Sequence, residues 1–113
     1  MPEPLSVLKG TLDMLTLKAL TWRPMHGFEL TRFLEERSEH RMELEDAALY
    51  QALYRMEKRG LVAAEWGVTE ENRRARFYNI TAKGRRELDR QTAWWLRYAD
   101  TVTGLVTEPP GSR

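Results

Sequence analysis

At 113 residues the chain fits one domain. A hydrophobic share of 42% and a charged share of 31% exclude a disordered chain, and the lack of cysteine excludes disulfides and thiolate zinc sites. No apolar run approaches the ~20 residues needed to cross a bilayer, which excludes a helical membrane span. Met1-Pro2-Glu3-Pro4 lacks the basic and apolar regions of a signal peptide, so a cytoplasmic protein is expected. Net charge is only +1 but unevenly spread. Acids outnumber bases seven to three from Glu29 to Asp46, and bases outnumber acids nine to four from Tyr50 to Arg86. Nucleic-acid binders show such asymmetry, although a charge run alone is more often a solvated face.

Leu5, Leu8, Leu12, Leu15 and Ala19 recur at spacings of three and four, which predicts a helix from about Leu5 to Trp22. Met14, Leu17 and Leu20 widen its apolar surface, as in a helix buried on two sides. Arg23-Pro24-Met25-His26-Gly27 ends it, because Pro24 cannot continue a helix and biases Arg23 away from helical angles. A second helix follows, from about Gly27 to Ser38, with Phe28, Leu30, Phe33 and Leu34 on its inner side. His26 reads as structural, near the N-terminus of that helix. Met42 and Leu44 alternate with Arg41, Glu43 and Glu45, the pattern of a very short strand. Glu45 and Asp46 put negative charge at the start of a third helix, where the macrodipole favours it. That helix runs to about Arg59, with Gly60 as its C-cap. Two strand-like runs, Leu61 to Trp66 and Ala75 to Ile80, are joined by the turn-like segment Gly67 to Arg74 and predict a hairpin. Thr81 is the expected N-cap of a last helix, about Ala82 to Val106. The rest, Thr107 to Arg113, reads as a frayed tail.

The expected fold is therefore mainly α with a small β-hairpin wing. A winged helix-turn-helix unit spans 1–81, a long C-terminal helix 82–107, and a flexible tail 108–113. In such folds the third helix enters the major groove. On a helical wheel, Leu49, Ala52, Leu53 and Met56 face inward, and Ala47, Tyr50, Gln51, Tyr54, Arg55 and Lys58 face out. The outer set carries hydroxyl, amide and cationic groups and no carboxylate, which suits phosphates and base edges. Gln51 is the candidate base reader, since glutamine can bond adenine twice. Tyr50, Tyr54, Arg55 and Lys58 are candidate phosphate contacts. In the hairpin, Asn72-Arg73-Arg74-Ala75-Arg76 places three arginines on a protruding loop, as in a wing that tracks the backbone or enters the minor groove. Charge protecting an edge strand is the bland alternative.

In the last helix Leu88, Thr92, Trp95, Ala99, Val102 and Val106 are spaced as a heptad seam. Gln91, Tyr98 and Leu105 flank it. The seam calls for a second chain, and packing on the first helix of the same chain is compatible with that.

Several segments resemble the PadR family of bacterial transcriptional regulators. They are Leu8-Lys9-Gly10-Thr11-Leu12-Asp13, Pro24-Met25-His26-Gly27-Phe28, Leu49 to Glu57, Glu65-Trp66-Gly67 and Arg73 to Thr81. The similarity runs from about Leu5 to Val106, and the chain looks like the short subgroup with a single C-terminal helix. The resemblance implies repression of nearby genes relieved by a small molecule, and a homodimer built from the last helix and the first. It also implies that a planar aromatic effector stacks between subunits on a tryptophan at the position of Trp95, with Leu12, Leu15 and Ala99 beside it; the alternative is that Trp95 is ordinary dimer core. Trp94, about 100° around the helix, is expected to face elsewhere. Two departures matter. Ala48 stands where the family often has Ser or Thr, which takes away one phosphate-binding hydroxyl. Gln51 stands where many members have Pro, which leaves room for a base contact.

An enzyme is not expected. His26 and His40 lie in no recognisable site, the carboxylates lack metal-ligand spacing, and no cofactor motif is present. The expected partners are double-stranded DNA, a second copy of the chain and the aromatic effector, with no membrane. The rival reading is a winged-helix module that binds protein, which an acidic or apolar outer face on the third helix would favour.

Overall fold

The first helix is much shorter than its leucine spacing predicts. The structure is a computed structural model describing residues 3–111; the expectations for 1–2 and 112–113 lie outside the described residues. Helix α1 spans Leu12–Leu20. Gly10 adopts a φ of +91°, which a right-handed helix excludes, and the Thr11 N–H and hydroxyl both turn back to the Leu8 carbonyl. Upstream, Leu5–Ser6 is an extended strand, β1, whose Leu5 N–H donates to the Arg41 carbonyl at 2.6 Å. It pairs in parallel with β2, Met42–Glu43. Leu5 and Leu8 are consequently exposed. The buried residues of α1 are Met14, Thr16, Leu17, Ala19 and Leu20, whereas Leu12 and Leu15 are half-buried. Apart from the buried Ala19, the expected stripe is thus the rim, and the residues expected to widen it are the core.

His26 has a structural role at the start of helix α2, Gly27–Arg37, as its N-cap: His26 Nδ1 accepts the Glu29 N–H at 3.3 Å. Met25 exchanges backbone hydrogen bonds with Tyr78, adding a one-residue third strand to the wing. Phe28 is exposed, against expectation. It lies two residues from Leu30, about 200° around the helix, so both cannot face the core. Thr31 takes the inner place, with its hydroxyl donating to Asp46 Oδ1 at 3.0 Å.

Helix α3, Asp46–Lys58, buries Leu49, Ala52, Leu53 and Met56. Gly60, at a φ of +74°, lets the chain turn back so that the Leu61 N–H reaches the Met56 carbonyl. Strands β3, Val62–Val68, and β4, Arg74–Ile80, pair antiparallel from Val62↔Ile80 to Val68↔Arg74. The turn between them shrinks to 69–73. It is closed by the Thr69 N–H on the Arg73 carbonyl, with Asn72 in the left-handed region that asparagine tolerates.

Helix α4, Ala82–Thr107, starts against the end of α3. Thr81 Oγ1 accepts the Gly84 N–H at 3.0 Å and lies 2.6 Å from the Gly60 carbonyl. Lys83 Nζ donates to the Arg59 carbonyl at 2.7 Å. A Cβ on Gly84 would lie 2.1 Å from the Leu61 carbonyl oxygen, so only glycine permits this approach. Leu17, Leu20, Met25, Leu30, Leu49, Leu53, Met56 and Leu61 form the shared core, which α4 joins through Leu88. From Asp100 onward every described residue of α4 is exposed.

Candidate nucleic-acid interface

Burial of Leu49, Ala52, Leu53 and Met56 forces the opposite side of α3 outward, and Tyr50, Gln51, Tyr54, Arg55 and Lys58 are all exposed there. Tyr50 rests on the start of α2 so closely that a Cβ on Gly27 would lie 2.4 Å from its ring. Arg55 donates to Asp13 Oδ1 of α1 at 3.1 Å. Lys58 Nζ lies 4.6 Å from the Tyr54 ring centre. These contacts limit the side-chain freedom that binding would otherwise remove.

The wing lies beside this face, and its three arginines differ. Only Arg73 lies in the turn. Arg74 opens β4, and its guanidinium stacks 4.6 Å from the Trp66 ring centre. Arg76 lies inside the strand and is bound 2.7 Å from Glu57 of α3. The expected loop of three arginines is therefore corrected to one, because the ladder continues through Gly67↔Ala75 and Val68↔Arg74. Burial pushes the Tyr78 hydroxyl above its ordinary range at the base of the wing. Trp66 is a further exposed residue of the wing, on the same side of β3 as Ala64 and Val68, an alternation visible in the sequence.

At the other end of α3, Glu87 of α4 is nearly buried. It accepts from Arg90 and from Gln91 at 2.6 Å, and Arg59, the C-cap residue just after α3, lies 3.8 Å away. The hydrogen bonds from Arg90 and Gln91, with the nearby charges, hold its carboxyl down at about 2.

The residues of the α4 seam divide. Leu88 is 8% exposed and belongs to the chain's own core. Thr92, Trp95 and Ala99 are half-buried, with Trp95 packed on the core edge. Val102 and Val106 are exposed. Leu12 and Leu15 are half-buried on α1, which packs against α4. Trp94 stacks on Tyr98, with ring centres 5.2 Å apart and planes 7° from parallel. Among the described residues no group of three or more histidines and carboxylates is placed to hold a metal. No described helix is long and apolar enough to cross a membrane.

A helix-turn-helix core with an exposed third helix and a flanking hairpin is the architecture of winged-helix DNA-binding transcription regulators. Residues 16–90 match the model of the transcriptional regulator PadR-like family, and the chain belongs to that family of regulators, which are not enzymes. The fold is similar to that of a transcriptional regulator from Clostridium thermocellum, at 23% identity and a TM-score of 0.80, covering 88% of this chain and 96% of that one. A PadR family transcriptional regulator from Eggerthella lenta is 32% identical with a TM-score of 0.75, covering 89% and 86%. A PadR-like regulator from Bacillus cereus is 24% identical with a TM-score of 0.76, covering 90% and 97%.

Proposed function

We propose that the chain is a homodimeric, sequence-specific repressor of the bacterial cytoplasm, relieved by a planar aromatic small molecule. The observation that carries the reading is the outward face of α3, where Tyr50, Gln51, Tyr54, Arg55 and Lys58 stand exposed together with no carboxylate of α3 among them, Asp13 of α1 meeting only Arg55. Gln51 reads a base edge, the other four and Arg73 contact the backbone, Arg74 serves the wing's contact with the backbone or the adjacent minor groove, and Arg76 braces the wing against α3. In this reading 1–81 binds DNA and 82–107 dimerises. The dimer is supported by Val102, Leu105 and Val106, which project into solvent on the half of α4 that leaves the core. The effector slot is supported by the half-buried ring of Trp95, with Ala99 one turn further along α4, and by Leu12 and Leu15, half-buried on α1, the helix that packs against α4. A ligand there shifts DNA affinity only as far as it binds the two helix arrangements differently.

The test is selection of genomic fragments by the purified protein, followed by footprinting and by transcript levels of the adjacent genes in a deletion strain. One enriched, footprinted site and raised transcripts are expected. Retention of no duplex would favour the protein-binding module instead.

A further inference from the structure

Trp66 is 62% exposed, more than any other aromatic side chain among the described residues. Directly opposed residues on an antiparallel ladder share a face. Trp66 opposes Arg76 and Val68 opposes Arg74, so these four stand on one side of the hairpin with Tyr78. That side looks toward α3, because Tyr78 is buried in the core and Arg76 reaches Glu57. The Arg74 guanidinium lies 4.6 Å from the centre of the Trp66 ring. An indole left this bare in water is unfavourable, and a guanidinium stacked on it is a planar donor set oriented before any contact is made.

We propose that Trp66 is a DNA-contacting residue of the wing that carries Arg74 into the minor groove, an inference that rests on the DNA reading above. The ring edge lies along the deoxyribose wall, the apolar part of the backbone, where it displaces water without stranding a polar group. The ring face holds the guanidinium toward the groove floor. Negative potential there is strongest where A·T runs narrow the groove, so the pair favours A·T-rich sequence beside the site read by α3.

The test uses the full chain with two fluorescein-labelled duplexes of equal length, one A·T-rich and one G·C-rich, read by anisotropy. Netropsin, which occupies the A·T minor groove, is the competitor. Trp66→Ala should lower A·T-rich affinity by roughly fivefold and G·C-rich affinity less. Trp66→Phe, which keeps a ring under the guanidinium, should retain most of the A·T preference. Netropsin should displace wild type more readily than Trp66→Ala. The loss in Trp66→Ala/Arg74→Ala should be smaller than the two single losses combined, with circular dichroism confirming that each variant is folded. Unchanged binding in Trp66→Ala, or fully additive losses, overturns the inference. Wild type that binds no duplex overturns the DNA reading along with it. Wild-type binding that weakens in Lys58→Ala but not in Trp66→Ala overturns this inference alone.

Discussion

The guanidinium of Arg76 lies 2.7 Å from the carboxylate of Glu57, so a charged hydrogen bond fastens the wing to the flank of α3. It fixes the distance between the element suited to the major groove and the element suited to the minor groove or backbone. Glu57→Gln should loosen that spacing while removing a negative charge beside the interface. Random-duplex affinity should rise and the ratio of specific to random affinity should fall, read by anisotropy on the footprinted site and a scrambled duplex. An unchanged ratio would show that the bond does not set the spacing.

Arg73→Ala with Arg74→Ala should weaken specific and random DNA alike when the duplexes are matched in A·T content. The log–log salt slope should flatten by on the order of one unit per lost phosphate contact. Gln51→Ala should behave differently, costing ~1–3 kcal/mol mainly on the specific site. Equal losses on both duplexes would mean that Gln51 reads no base.

The outward face of α3 was legible because several local signals agree there: an acidic first turn, four inward apolar residues and a glycine just past the last turn, even though Glu45 makes no side-chain cap. Periodicity misled at the first helix. Leu5 and Leu8 keep the spacing, yet Gly10 breaks the helix and Leu5 finds its hydrogen bond at Arg41, a contact across the fold that spacing does not encode. The role of Arg76 was hidden for the same reason, since Glu57 lies nineteen residues away. Leu88 also fits a heptad seam while packing into its own core, because one side of a helix can serve two neighbours in succession along its length.

Gly84→Ala should destabilise the fold strongly. The added methyl would meet the Leu61 carbonyl oxygen at 2.1 Å, and backbone cannot swing aside as a side chain can. A cost of at least about 2 kcal/mol is expected in urea unfolding. A variant melting like wild type would show that α4 can slide away from β3 freely.

Glu87 should confer acid sensitivity. Its carboxyl is lowered from 4.5 to about 2 by hydrogen bonds from Arg90 and Gln91. The folded state therefore gains stability from it above the unfolded value, and loses that stability as pH falls from 4.5 toward 2. The contribution should be about 1–2 kcal/mol, since the arginine partners are well exposed and screened. Denaturation from pH 6 to pH 2 should show that loss in wild type and not in Glu87→Gln, to within roughly 0.5 kcal/mol. Parallel pH curves would remove Glu87 from the acid response.

Val102→Asp should separate the dimer from the fold. Val102 touches solvent in the single chain, so the substitution leaves the core intact. In a symmetric dimer it would bury two unpaired carboxylates at a cost of several kcal/mol. Light scattering should report a folded monomer, and a folded dimer would place the seam elsewhere.

The base of α4 is clamped to the end of α3 through Lys83, Thr81 and Glu87, while its other end is bare. A 26-residue helix is about 39 Å long, so a tilt of roughly 5° at the clamp, which must also slide α4 along α1, displaces the free end by roughly 3 Å. Read in reverse, the helix is a crowbar with its fulcrum beside α3. A modest push at the exposed end arrives at α3 as a small, forceful rotation. For two copies gripping each other by those ends, the separation of the two recognition helices becomes a matter of angle. Sequence changes far from any base could then retune which half-site spacing the pair accepts.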